Sequence, residues 1–582
     1  MPAANSLQQK KRYQTVTQEK ADGATYTPTL LADFVANQII ESASLPAGEI
    51  RVLDPAVGDG ELLLSLLKKL TSCTTAKISV HGFDTNTRAL ALAKQRLASL
   101  FPKAELHLQH GDFLNFVLDL PNEERTPSLF APPSVPQHFD LIIANPPYVR
   151  TQIMGSEQAQ KLGDAFGLNG RVDLYHAFLI GMAQVLRHGG TAGMIVSNRF
   201  MTTKGGASLR SAMRTRFELR HIWDLGDTKL FEAAVLPAVI LAGRNSGDML
   251  SLPRFTSIYE TDQRAINAAA NPIAALELPG MVSLEDGRRF NVQHGTLDAS
   301  GAADDLWRIA TDASDTWLAT VLEHTWKTFG DIGKIRVGVK TCADKTFIKG
   351  DWLGLPEAER PELLRPLTTH HGAGRFRAIK PKAKKEREIL YPHECVGGQR
   401  RPVDLAAYPI SRAYLEAHRA TLEARTYVIE AGRQWYELWV PQDPAAWERP
   451  KLVFRDISER PTFWLDLEGT IVNGDCYWMT PERPGDEDIL WLAAAVANST
   501  FIEAFYDHRF NNKLYAGRRR FITQYVELFP LPDPSTEQSQ KIIQLARKIY
   551  DHAGSEAGML LEAELEPMIW AAFGLGVKEV SR

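Results

Sequence analysis

The sequence predicts an α/β protein, a doubly wound and mostly parallel sheet, followed by a mixed α+β domain. Three observations predict it. Between residues 50 and 144, short apolar, β-branched runs alternate with stretches of helical periodicity, the pattern of strands joined by helical crossovers. The runs end on Asp54, Asp84, Asp112 and Asn145, as expected of parallel strands whose carboxyl ends line a ligand crevice. Beyond about residue 330 the alternation gives way to short mixed pieces such as IRVGVKTCADKTFIKGD and PKLVFRDISERPTFWLD, with basic and aromatic residues interleaved.

At 582 residues and 44% hydrophobic content, the chain can build two or three cores. No stretch approaches 18 uninterrupted apolar residues, and the first twenty are polar without an apolar signal core, so a soluble cytoplasmic protein with no membrane partner is expected. Cys73, Cys342, Cys395 and Cys476 lie far apart, which suits neither a disulfide framework nor a metal site, and no metal is implied. The net charge of −4 argues against indiscriminate binding to polyanions but leaves room for a local basic face.

Residues 1 to 22 read as a flexible, basic-leaning tail. Thr27-Pro28 then opens a helix with Leu31, Phe34, Val35 and Ile39 at helical spacing. The stretch IRVLDPAVGDGELLLSLLKKL is a strand from Ile50 to Leu53, a tight loop with Gly58 and Gly60, and a helix from about Glu61, a site where backbone approaches a ligand closely. It lacks the GxGxxG spacing, and no Lys-Ser/Thr pair follows, so a pyrophosphate ligand is not indicated. Asp54 suits a cationic group. Asp84, ending ISVHGFD, is placed to accept two ribose hydroxyls, and Asp112 with Phe113 can bond an exocyclic amine and cover a purine. Each aspartate alone is equally a helix cap. Together, at the ends of three successive strands, they describe a pocket for an adenosine with a charged amino-acid tail, which is S-adenosylmethionine.

The fourth strand, Phe139 to Ala144, stops at Asn145-Pro146-Pro147-Tyr148, because two prolines cannot donate to a sheet ladder. The Asn145 amide oxygen and the Pro146 carbonyl offer two acceptors on a stiff backbone, which suits a planar NH2 group. With both its hydrogens bonded, such a nitrogen is drawn toward tetrahedral geometry, and its lone pair becomes nucleophilic without a general base. Tyr148 adds a ring for stacking, worth roughly 1–3 kcal/mol per base.

With these motifs in order (TYTP, DPAVGDG, GFD, GDF, NPPYVR, DLYHAFL, FEAAVLPAVIL), the chain resembles the gamma-class, TaqI-type N6-adenine DNA methyltransferases of restriction-modification systems, from about residue 24 to about 535. The resemblance implies a Rossmann-like methyltransferase sheet followed by a target-recognition domain. It implies that Tyr26, Thr27 and Pro28 close over the methionine part of the cofactor, and that the loop from Asp54 through Pro55 and Ala56 to Gly60 wraps the same part. Asp84 would hold the ribose, and Asp112 with Phe113 the adenine. Phe231, in a loop between two strands, would sandwich the flipped target base against Tyr148. The chain departs from the pattern in the polar run before Gly111 and in the proline-rich insertion PNEERTPSLFAPPSVPQ, expected to be a surface loop.

The expected organisation is a methyltransferase domain over 23–245, a connector over 246–330 and a target-recognition domain over 331–582 that ends in packing helices. Basic residues concentrate in this last domain at Arg375, Arg377, Lys380, Lys382, Lys384, Lys385, Arg387, Arg400 and Arg401. Arg518, Arg519 and Arg520 are expected to project from a loop and meet DNA phosphates. The implied activity is transfer of a methyl group to N6 of an adenine in a short duplex DNA sequence by base flipping. A monomer is expected, with a separate cognate restriction endonuclease as a possible partner. Three other readings stay open. A protein glutamine methyltransferase also uses NPPY but has no need of a basic domain of this size. N4-cytosine enzymes mostly carry serine where this chain has Asn145. A non-catalytic DNA-binding relic would show a broken pocket, whereas every pocket position here is filled.

Overall fold

The computed structural model describes residues 27–120, 138–149, 156–169, 172–231, 236–245, 252–298, 302, 305–483, 485–510 and 518–576. The chain divides into two compact units, Met1–Thr311 and Asp312–Arg582.

The first unit is built on a sheet of β1 (Glu49–Asp54), β2 (Lys77–Asp84), β3 (Glu105–His110), β4 (Phe139–Ala144), β5 (Leu186–Ser197), β6 (Phe217–Asp224) and β7 (Pro237–Arg244), hydrogen-bonded in the order 3-2-1-4-5-7-6. All neighbours in this run are parallel except β7, which is antiparallel to both β5 and β6. The expected doubly wound sheet is therefore present. It is covered by α1 (Thr29–Ser42), α2 (Glu61–Cys73), α3 (Thr87–Leu100), α4 (Phe113–Leu118), α5 (Ser156–Phe166), α6 (Leu174–Val185) and α7 (Ala207–Arg216).

Each of the six β4 residues is buried, as a central strand covered on both faces requires. Ile142 and Ala144 join the core shared with Phe178 and Met182 of α6, while Leu141 and Ile143 join the core shared with Leu31, Val35 and Ile39 of α1. Burying each of these larger aliphatic side chains contributes about 1.5–3 kcal/mol. The helix starts are set locally. Asn86 accepts from the N–H groups of Arg88 and Ala89 to begin α3, and Asp112 accepts from Leu114 to begin α4. β5 starts at Leu186 directly after α6, and Gly189-Gly190 lies inside it.

The first part of the segment expected to be a connector, up to Ala310, is instead part of this sheet. β8 (Arg254–Glu260) pairs parallel to β6, and β9 (Asn267–Ala269), β10 (Gly280–Leu284), β11 (Arg289–Leu297) and β12 (Ile309–Ala310) extend it, giving twelve strands among the described residues. The physical reason is the open edge of β6, whose unpaired N–H and C=O groups β8 satisfies. The two units divide at Thr311/Asp312, inside the expected connector, and the first unit runs past residue 245.

The second unit is mixed α+β. A five-stranded sheet runs through Gly333–Val337, Cys476–Pro481, Lys451–Arg455, Phe463–Asp466 and Phe376–Arg377, with smaller sheets beside it. Apolar helices Asp488–Ala497 and Thr500–Phe510 pack within it, and Glu537–Asp551 pairs with Glu556–Ala572. Among the described residues no single helix is long and apolar enough to cross a membrane.

Candidate active site

The strand order reverses between β1 and β4, which are in register at Val52–Leu141 and Leu53–Ile142. Ligands of open α/β sheets bind at this reversal, off the carboxyl ends. Asp54 and Asn145 sit there, one at the end of each strand.

Asn145 is fixed from both sides of its amide. Its Nδ2 donates to Thr27 Oγ1 at 3.0 Å, and its Oδ1 accepts from the Tyr148 hydroxyl at 2.8 Å. The Tyr148 hydroxyl also lies 3.3 Å from the Ile195 carbonyl, so β5 steadies the same group. A carbonyl oxygen has two lone pairs, so an amide oxygen such as Oδ1 can accept from more than one donor. Pro146 is buried, whereas Pro147 and Tyr148 are half-buried. Burial pushes the Tyr148 phenol above the ordinary tyrosine range, so it stays a neutral donor. Tyr175 of α6 meets the Tyr148 ring edge-on at 6.0 Å. Behind it, burial pushes His176 down to about 4, with Asp173 opposing and Arg199 assisting, so this imidazole is neutral at pH 7.

Asp54 is fully buried. Its Oδ1 accepts from the Ala56 N–H at 3.0 Å, and its Oδ2 has no hydrogen-bond partner among the described residues. Burial, more than the nearby Asp84 and Asp59 charges, raises its carboxyl to about 7, while the Ala56 N–H pulls the other way. The loop between Asp54 and α2 turns on Gly58 and Gly60, both at positive φ (54° and 85°). A side chain at Gly58 would meet nothing within 4 Å, so its backbone faces open space. Pro55 is buried and Ala56 half-buried in the same turn. Asp84 Oδ2 accepts from Gly58 N at 2.7 Å and its Oδ1 from Asn86 N at 2.7 Å, so one carboxylate ties the glycine loop to the end of β2. The donor set fits S-adenosylmethionine. The orphaned Asp54 oxygen suits the ammonium of the methionine part, Asp84 retains lone pairs for ribose hydroxyls, and the Gly58 backbone leaves room for close approach.

Other expected site residues fall differently. Tyr26 lies outside the described residues, whereas Pro28 accepts from the N–H groups of Leu31 and Ala32 and starts α1. Asp112 caps α4, and Phe113 is 1% exposed, its ring among Phe83, Phe116 and Phe178, so the ring lies in the core and not on an open face. Phe231 is also buried, at 6% exposure, in the cluster that holds Trp223, Leu225 and Val239.

The three arginines are a correction. Arg519 and Arg520 form a short strand paired with Ile457 and Ser458, and do not project from a loop. Arg519 makes two 2.8 Å bonds to Asp507 with Glu503 beside it, and Arg520 is bound to Asp456. Successive strand residues point to opposite faces, so adjacent arginines do not share one surface. Arg518 is the member with a mostly exposed side chain, at 51%.

One cluster escaped sequence reasoning. Asp224, at the carboxyl end of β6, accepts from Asn198 Nδ2 (2.9 Å), the Tyr259 hydroxyl (2.6 Å) and the Gly226 N–H (3.2 Å), all buried. Asn198 N donates to Leu236 O and Leu225 N to Pro237 O, so both arms of the Phe231 loop are anchored here. The available signal was the one used for Asp54 and Asp84, an apolar strand that ends in aspartate.

The chain is similar to known restriction-modification proteins. The Eco57I restriction-modification methylase family matches residues 78–231, and the TaqI-like C-terminal specificity domain matches residues 404–531. The chain is 38% identical to the type II methyltransferase M.BanIII of Aneurinibacillus aneurinilyticus, over 96% of this chain and 98% of that protein. It is 26% identical to M.PaeR7I of Pseudomonas aeruginosa, over 88% of this chain and 86% of that one. Among solved structures, the type IIL restriction-modification enzyme MmeI in complex with DNA shares the fold, with a TM-score of 0.57 at 13% identity over 91% of this chain and 71% of that chain.

Proposed function

This chain belongs to the TaqI-type methyltransferases of restriction-modification systems, and from that premise we propose that it methylates N6 of an adenine, turned out of the helix, within a short duplex sequence. Methylation of DNA and the use of S-adenosylmethionine follow from the family. The observation that carries the finer reading is the Asn145 amide, held by Thr27 and Tyr148 just past the β4 end.

The cofactor supplies an electrophilic methyl group on a sulfonium. Asp54 would hold its ammonium and Asp84 its ribose. Asn145 Oδ1 and the Pro146 carbonyl accept the two N6 hydrogens and keep the nitrogen lone pair out of ring conjugation. The ring of Tyr148 supports the base from one side. A stacked base cannot bring N6 in line with the methyl group, which is why the base must leave the duplex.

The test is Asn145→Ala. Because the lost bond acts mainly in the transition state, single-turnover methylation should fall by about 10²–10³-fold, by analogy with loss of one preorganised hydrogen bond, at nearly unchanged cofactor affinity. Nucleoside analysis of the modified DNA should yield N6-methyladenine. An unimpaired rate removes Asn145 from the mechanism, and N4-methylcytosine as the product overturns the choice of base.

A further inference from the structure

The second unit contains a two-stranded ribbon with one face of exposed side chains. His393–Val396 pairs antiparallel with Gln399–Pro402, and Gly397-Gly398 (φ 58° and 76°) makes the two-residue turn. Positive φ at both turn positions gives the tight hairpin turn that matches strand twist, and glycine adopts it without strain. The base of the ribbon is anchored. His393 is buried with Nε2 accepting from Leu438 N at 3.1 Å, Val403 N donates to Pro392 O, and the Tyr436 hydroxyl donates to Val403 O.

Strand alternation sorts the side chains. His393, Cys395, Arg400 and Pro402 share one face, on which His393 is buried and Arg400 Nη1 reaches the Gln442 carbonyl at 3.3 Å, while Cys395 is exposed. Glu394, Val396, Gln399 and Arg401 share the other, and all four are exposed. Their chemistry matches base edges in a major groove: arginine for guanine O6 and N7, glutamine for adenine N6 and N7, glutamate for the cytosine amine, and an apolar group for the thymine methyl. A major groove about 12 Å wide admits a two-stranded ribbon.

Cations lie just before the ribbon. Lys380, Lys382, Lys384 and Lys385 are exposed, and none of them has a carboxylate partner among the described residues. Lys384 and Arg387 line a groove of about 440 Å³ with Lys349, Asp351, Ile348, Gly350 and Ala383. Arg375, by contrast, is tied to Glu562, and Arg377 lies over Tyr550. From Arg387 to His393 the chain spans at most about 22 Å, so one duplex can touch both features.

We propose that residues 380–402 are the duplex-DNA contact of the second unit. The lysine run holds phosphates, and the outer face of the 393–402 ribbon reads bases in the major groove, with Gln399 and Arg401 as specificity-determining residues. The inference rests on the DNA-methylating function and adds to it the element that selects the sequence.

The experiment uses full-length protein in three forms: wild type, Gln399→Ala with Arg401→Ala, and Lys382→Ala with Lys384→Ala and Lys385→Ala. Binding to a random-sequence 30-base-pair duplex is measured between about 50 and 200 mM salt, the range over which phosphate contacts show. Methylation of unmodified bacterial genomic DNA is read by single-molecule sequencing. The ribbon variant should keep wild-type binding to the random duplex and lose roughly 5- to 150-fold of discrimination at one or more base positions. The lysine variant should keep the methylated motif and weaken all duplexes alike, its log–log salt slope shallower by about 0.9 per lost contact. All the altered residues are exposed, so melting temperatures should hold. An unchanged motif in the ribbon variant, or parallel salt plots for the lysine variant, overturns the proposal while the methyltransferase reading stands. A wild-type protein that methylates no duplex overturns both.

Discussion

A fully buried carboxyl with one oxygen left unpartnered makes Asp54 the residue at which stability and cofactor binding oppose each other. Burial holds its folded-state carboxyl at about 7, above the ordinary aspartate value of 3.8, so the folded apo protein favours the neutral form. The contribution to stability is therefore fully present below about pH 4 and is lost as pH rises toward 7. A shift of this size corresponds to at most about 4 kcal/mol. Asp54→Asn should remove that dependence, so the variant should melt higher than wild type at pH 8, while the two converge near pH 4. Cofactor affinity should change in the opposite sense. An ammonium partner needs the carboxylate, so wild-type affinity should rise with pH to about 7 and level off, and Asp54→Asn should bind weakly throughout. Thermal melts and cofactor titrations across this pH range check both expectations, and identical pH dependence in the two proteins would mean that Asp54 is not the titrating group. Asp54, Asp84 and Asn145 were legible because strand ends are marked in sequence by the stop of an apolar run. The burial of Phe113 was not, since an aromatic after a strand reads the same whether its ring turns toward a ligand or into the core.

Among the elements, the loop carrying Phe231 is the one whose role sequence and structure weigh differently. Family position would make Phe231 the second face of a base sandwich, whereas its 6% exposure places the ring in the core beside Trp223 and Leu225. We expect Phe231→Ala to lower the melting temperature and also to weaken the flipped state by about 1–3 kcal/mol, the scale of base–aromatic stacking, with Phe231→Trp restoring flipping. Fluorescence of 2-aminopurine at the target position reports extrusion. A loss of melting temperature with unaltered fluorescence would leave the ring to the core alone. Strand pairing explains other differences at this scale. Three adjacent arginines read as one basic patch, but pairing with Ile457–Ser458 turns alternate side chains to opposite faces and brings Asp507 to Arg519 and Asp456 to Arg520. Those partners lie far away in sequence, and composition carries no trace of them.

For the whole molecule, a net charge of −4 says little about where DNA is met, because paired and unpaired cations count equally in the sum. The division into units has a sharper consequence. Pattern reading ends the catalytic domain at residue 245, just after the last catalytic-domain motif, FEAAVLPAVIL. The sheet continues to β12 because β8 pairs along β6, and Phe255, Ile258, Phe290 and Val292 complete buried clusters begun by the earlier strands. Tyr259 also supplies the hydroxyl bound to Asp224, another of whose partners, Asn198, lies just past β5. A fragment that ends at 245 would expose the β6 edge and one side of these cores, and leave the buried Asp224 without one of its donors. Large-to-small changes at single core positions already cost about 2–5 kcal/mol, and this cut removes several whole side chains. We therefore expect residues 1–311 to express as a soluble unit with cooperative unfolding and measurable cofactor binding, and residues 1–245 to aggregate or remain unfolded. Calorimetry and gel filtration of the two fragments decide the matter. A stable, cofactor-binding 1–245 fragment would show that β8 to β12 are an addition the catalytic sheet does not need, and would restore the boundary the sequence pattern suggests.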